Sequence, residues 1–149
     1  MVVINKRRIW LGALAGGLVW TVVSLAIQMF ALAPRYEAEQ AVGHFLAAPR
    51  YPLFPVEWIV MLFVLAYVVS LLYASARATC GAGPKTALGV GLMVGFAAGF
   101  PGNFAAATWS PVDRIFPLCW MLEMWGGAIL AALVAGWVYR DPEPVRPGS

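Results

Sequence analysis

Glu123 is the one charged side chain well inside an apolar run, the run that extends from Phe116 to Tyr139. A carboxyl group in hydrocarbon is costly, and where it occurs it marks a ligand site, a proton relay or a buried tie between helices. It suits proton exchange or hydrogen bonding to a ligand. Two amides stand in other apolar runs, Asn103 and Gln28, and can donate to such a group. Glu57 is a second carboxylate, at the start of the remaining apolar run. Trp120 and Trp125 flank Glu123, and with Trp20, Phe100 and Phe104 they could wall a pocket. Two readings of Glu123 stand side by side. It fastens the bundle by bonding Asn103, Gln28 or a carbonyl freed near Pro101, or it serves a ligand or proton. His44, a lone loop histidine, reads as a surface residue.

The elements that position these groups follow from composition. Of 149 residues, 62% are hydrophobic and 11% charged, and the mean hydropathy is +0.78. Soluble domains carry about 25% charged residues. The chain therefore reads as one all-α integral membrane domain over 1–140. Its apolar runs, about 9–33, 55–76, 85–108 and 116–140, are each long enough to cross a ~30 Å hydrocarbon core at ~1.5 Å per residue. The expected fold is a four-transmembrane-helix antiparallel bundle. The first run exceeds the 7–15 residues of a leader's apolar core, so it reads as a span. In the first outer loop, over 34–54, Ala41, Val42, Phe45 and Leu46 suggest a short interfacial helix. Pro55 is a favourable first-turn residue for the second span, with Glu57 placed to meet the helix dipole. Pro101 is expected to break or kink the third. Residues 141–149 read as a disordered cytoplasmic tail.

Depth arithmetic gathers the polar groups. Gln28 lies ~28 Å up the first span from Ile9, and Asn103 ~27 Å up the third from Lys85. Glu123 lies ~9 Å in from the outer end of the fourth. All three fall in the same third of the membrane. Lys6, Arg7, Arg8, Arg77, Lys85, Arg140 and Arg146 share one side, against Arg35, Arg50 and Arg114 on the other. That bias places both termini in the cytoplasm. Trp10 and Trp137 then belong to the inner aromatic belt, and Trp58, Trp109 and Trp120 to the outer one.

Small residues supply the packing faces. Gly91, Gly95 and Gly99 recur at every fourth position, which is one face of a helix. Gly12 and Gly16 make a similar pair, and Gly127 follows Glu123 by four. Such faces let backbones approach closely in lipid. Packing inside the bundle is the first expectation for the third-span glycines, with Gly12 and Gly16 as the matching surface.

The chain has one His and two cysteines, Cys80 and Cys119, at opposite membrane faces, so no metal is implied and no cofactor is named. The net charge of +3 reflects the run Lys6-Arg7-Arg8 directly before an apolar segment, a membrane-surface pattern rather than a nucleic-acid one. No P-loop, dinucleotide fingerprint, Ser-His-Asp set or H-E-x-x-H occurs. Arg8-Ile9-Trp10-Leu11-Gly12, Pro49-Arg50-Tyr51-Pro52, Gly83-Pro84-Lys85-Thr86-Ala87-Leu88, Gly99-Phe100-Pro101-Gly102-Asn103 and Met121-Leu122-Glu123-Met124-Trp125-Gly126-Gly127 together resemble the small four-helix bacterial inner-membrane proteins of unknown function. The resemblance implies a bacterial inner membrane and carries over no activity. The expectation is a non-enzymatic accessory or scaffolding subunit in a larger assembly or homo-oligomer, with membrane-protein partners and the lipid bilayer. The alternative is a small-molecule, lipid or proton-coupled binding or transport protein with its pocket at Glu123, Asn103 and Gln28.

Overall fold

The computed structural model describes residues 5–139, so the expected tail at 141–149 lies outside the described residues. Helix α1 covers Lys6–Ile27 and leads without a break through a π-helical turn, Gln28–Leu32, into α2, Ala33–Ala41. Then come α3, Phe54–Cys80, α4, Pro84–Trp109, and α5, Ile115–Val138. Four helical stretches are long and apolar enough to span a membrane. The chain is an all-α, multi-pass, four-helix bundle.

Local chemistry sets the ends. Asn5 caps α1 by accepting from the Arg8 N–H. Pro55 sits in the first turn of α3, with Glu57 beside it, and Arg77 lies in the last turn. Gly81, at φ +85°, ends α3, and Pro84 starts α4 three residues later. The short helix of the first outer loop falls at Ala33–Ala41 rather than over 41–46. The reason is Gly43. At φ +79° it terminates α2, with His44 N–H bonded to the Glu39 carbonyl and Gly43 N–H to that of Gln40. Pro101 does not end α4, which continues to Trp109. Asn103 donates its side-chain amide to the Gly99 carbonyl, 2.7 Å away, within the same turn.

Inside and outside are both apolar, and the faces differ in size instead. Along α1, Gly12, Ala13, Gly16, Gly17 and Trp20 are buried, while Leu11, Leu14, Leu18 and Val22 point outward. Helices that cannot gain by escaping water gain by close approach, which small residues permit. Helix α5 is the hub, packing on α1, α3 and α4, whereas the backbones of α1 and α4 do not meet. A Cβ on Gly91 would stand 2.6 Å from Ile129 Cα, and one on Gly95 2.8 Å from Trp125 Cα. Gly99 meets Met124 and Met121. The third-span glycines thus pack within the bundle, but on α5 and not on Gly12 and Gly16. Those two also face α5, at Ala135 and Ala131, and Gly127 receives the Trp20 ring. The alanines of α5 leave room for both neighbours, so α1 and α4 are held apart by the helix between them.

One end of the bundle collects the chain near residue 5, the α3–α4 turn and the end of α5. The Tyr139 hydroxyl accepts from the Asn5 N–H at 3.0 Å, Tyr73 accepts from the Gly83 N–H at 3.2 Å, and the Arg77 guanidinium lies 4.7 Å over the Tyr139 ring. The other end carries an aromatic cluster. Phe45, from the loop after α2, contacts Tyr36, Phe116 and Trp120. That loop is folded back onto the end of the bundle.

Candidate functional site

Glu123 is wholly buried on α5 and is met by side chains from α1, α3 and the π turn. Ser24 Oγ donates to its Oε1 at 2.5 Å. Gln28 Nε2 donates to Oε2 at 3.2 Å. Trp58 Nε1 lies 3.3 Å from Oε1 and 3.2 Å from Ser24 Oγ, so one indole N–H is shared between them. The Tyr36 hydroxyl donates to Gln28 Oε1 at 3.1 Å and extends the chain to the aromatic end. Each link is short enough for a hydrogen bond, and both carboxyl oxygens have donors.

The π turn builds part of this network. An uninterrupted α-helix would place Tyr36 about 80° around the axis from Gln28, eight residues before it. One residue absorbed by a wider turn reduces this to about 20°. Pro34 explains why the turn is there. It has no N–H for the carbonyl four residues earlier, and its ring crowds that carbonyl. Ala33 N–H bonds instead to the Gln28 carbonyl, five residues back.

Beside the network is a cavity of about 500 Å³. All four spans line it. Helix α1 contributes Thr21, Ser24 and Leu25, and α3 contributes Trp58 and Ile59. Asn103 comes from α4 and Trp120 and Met124 from α5, while Gln28, Tyr36, Phe54 and Pro55 complete the wall. The cavity is lined by both α1 and α4, whose backbones do not meet, and by Tyr36 and Trp120 of the aromatic end. No charged side chain lines it, and Glu123 lies just behind Ser24, Gln28 and Trp58.

The structure therefore brings together Glu123 and Gln28 from the sequence-predicted set, with Asn103 and Trp120 on the same cavity wall. It does not bring in Trp125 or Glu57. Trp125 lies two residues from Glu123, about 200° around the helix. Its indole donates to the Leu92 carbonyl at 3.2 Å, and its ring meets Phe100. Glu57 is exposed in the first turn of α3. The other expected walls also lie elsewhere. Trp20 is buried against Gly127, with its indole N–H unpartnered among the described residues, and Phe104 is exposed. Trp10, Trp109 and Trp137 stand out from the bundle as belt residues do, but Trp58 and Trp120 turn inward. Sequence reasoning missed Trp58 and Tyr36 as site residues. Ser24 was likewise not assigned to the site, although Thr21, Ser24 and Gln28 share one face by helical spacing.

No protein-family model, curated protein or solved structure matches this chain.

Proposed function

We propose that the protein is a membrane-embedded binding protein whose ligand occupies the cavity beside Glu123. The observation that carries this is the coincidence of a cavity of about 500 Å³ with a fully buried carboxyl group hydrogen-bonded to two of its lining residues, Ser24 and Gln28. A tie between helices needs only the bonds; it does not need an open space fed by four spans. Bundle-core pockets with a few convergent polar groups in an apolar wall are the usual form of small-molecule sites. Intramembrane carboxyl groups are site candidates for the same reason.

The accessory or scaffolding reading is weaker on this geometry. It drew on glycine faces, and Gly12, Gly16, Gly91, Gly95, Gly99 and Gly127 are all occupied by neighbours within the chain. It now rests on the outward apolar face of α4, with Leu88, Leu92, Met93 and Phe96, which lipid alone would cover. Lys6, Arg7, Arg8, Arg77 and Lys85 at one end, against Arg35, Arg50 and Arg114 at the other, favour cytoplasmic termini. On that orientation the cavity belongs to the outer leaflet. The likeness to small bacterial inner-membrane proteins makes that membrane the proposed location.

The test is to fill the cavity. Ile59 lines it without touching the Glu123 hydrogen bonds. Wild-type protein extracted in native lipid discs should carry a bound small molecule by native mass spectrometry, and Ile59→Trp should lose it while remaining folded. An empty wild type, or equal retention by the variant, would remove the proposal.

A further inference from the structure

From the cavity's chemistry we infer that its ligand is a lipophilic organic cation, with an ammonium-type head held toward Trp58 and Trp120. The inference rests on the cavity being a ligand site and adds the class of ligand.

Three observations point the same way. First, Glu123 is fully buried and no Lys, Arg or His among the described residues pairs with it. At that end of the bundle Arg35 pairs with Asp113 and His44 contacts Glu39. Ionisable groups inside spans face the bundle interior or a cavity, are paired there, and mark substrate and ion pathways. The chain supplies three donors to Glu123 and no cation, so a positive head in the cavity meets no competing basic group there. Second, four lining residues are aromatic, Tyr36, Phe54, Trp58 and Trp120, and one of them, Trp58, reaches the Glu123 carboxyl group. Aromatic faces attract cations, tryptophan most strongly, and the attraction grows where water is excluded. The Trp58 N–H is hydrogen-bonded toward Glu123. That bond pushes electron density into the indole ring and makes its face a better partner for positive charge. Third, Leu25, Ile59 and Met124 complete the wall with hydrocarbon and polarizable sulfur. They suit the apolar remainder of an amphiphile. An anionic ligand would find no basic residue in the lining to receive it. A neutral one would leave the aromatic faces without the positive charge they attract.

The experiment compares benzyltrimethylammonium with its neutral carbon isostere, neopentylbenzene, on the full chain in zwitterionic lipid nanodiscs. Binding is read from tryptophan fluorescence, with partition into empty discs subtracted. The cation should bind saturably and about tenfold or more tighter than the isostere. Glu123→Gln should abolish that preference. Trp120→Leu, which leaves every Glu123 hydrogen bond in place, should weaken the cation and spare the isostere, so the result survives a poorly folded Glu123 variant. Equal binding of both probes, abolished by Ile59→Trp, would overturn the cation class and leave the ligand site standing. Cation binding that Ile59→Trp does not reduce would place it outside the cavity and overturn the inference. Binding of neither probe would overturn the cation class, and the native mass spectrum of the wild type decides the ligand site separately.

Discussion

The Trp58 indole nitrogen lies 3.3 Å from a carboxyl oxygen of Glu123, across the interface between α3 and α5. A residue that sequence position assigns to an aromatic belt is thus turned into the bundle and tied to its one buried charge. The same N–H reaches Ser24 Oγ, so three spans meet at one carboxyl group.

This tie should be measurable as a coupling. In a double-mutant cycle of Trp58→Phe and Glu123→Gln, thermal unfolding in detergent should show a coupling of about 0.6 kcal/mol, up to ~1.7 kcal/mol. Additive effects would mean that the two side chains do not interact.

Gly127 and Gly126 should respond oppositely to the same substitution. A Cβ at Gly127 would collide with the Trp20 ring, whereas one at Gly126 meets no atom within 4 Å. Gly127→Ala should cost about 1–3 kcal/mol by overpacking. Gly126→Ala should be neutral or stabilise by up to ~1 kcal/mol through helix propensity. Melting temperatures of the two single variants decide it, and equal shifts would contradict the α1–α5 packing.

The π turn makes a conditional prediction. Tyr36→Phe removes the hydrogen bond to Gln28 and should cost about 0.5–1.5 kcal/mol. Pro34→Ala restores a backbone donor, lets the turn relax to an α-helix and swings Tyr36 away. In that background Tyr36→Phe should cost almost nothing. An unchanged cost would show that Pro34 does not set the alignment.

Phe45 anchors the loop between α2 and α3 through its contacts with Phe116 and Trp120. Phe45→Ala should free that loop. Limited proteolysis should then cut within 42–53 at least several-fold faster, while the spans stay protected. Unchanged cleavage would contradict the folded-back loop.

The spans were legible because length and hydropathy alone define them, and Glu123 with Gln28 because depth along a helix is simple arithmetic. Trp125 could have been excluded on the same grounds, since two residues turn a helix to its far side. Other features left no such mark. The spans are apolar on every side, so hydropathy does not show that Trp58 on α3 turns inward or which neighbour Gly91 on α4 meets. The π turn has no periodic signature, and only Pro34 hints at it. Asn103 reached the cavity wall at the predicted depth, yet its amide binds its own helix at Gly99, a local competition that spacing does not reveal.

The most direct test of the account is a crystal structure of the protein grown in a lipidic mesophase from native membrane. The account predicts non-protein density in the cavity, in contact with Trp58 and Trp120 and adjacent to the Glu123 network. A cavity closed by its own side chains, or filled only by water, with the Glu123 hydrogen bonds intact, would contradict it and leave Glu123 as a fastening between helices.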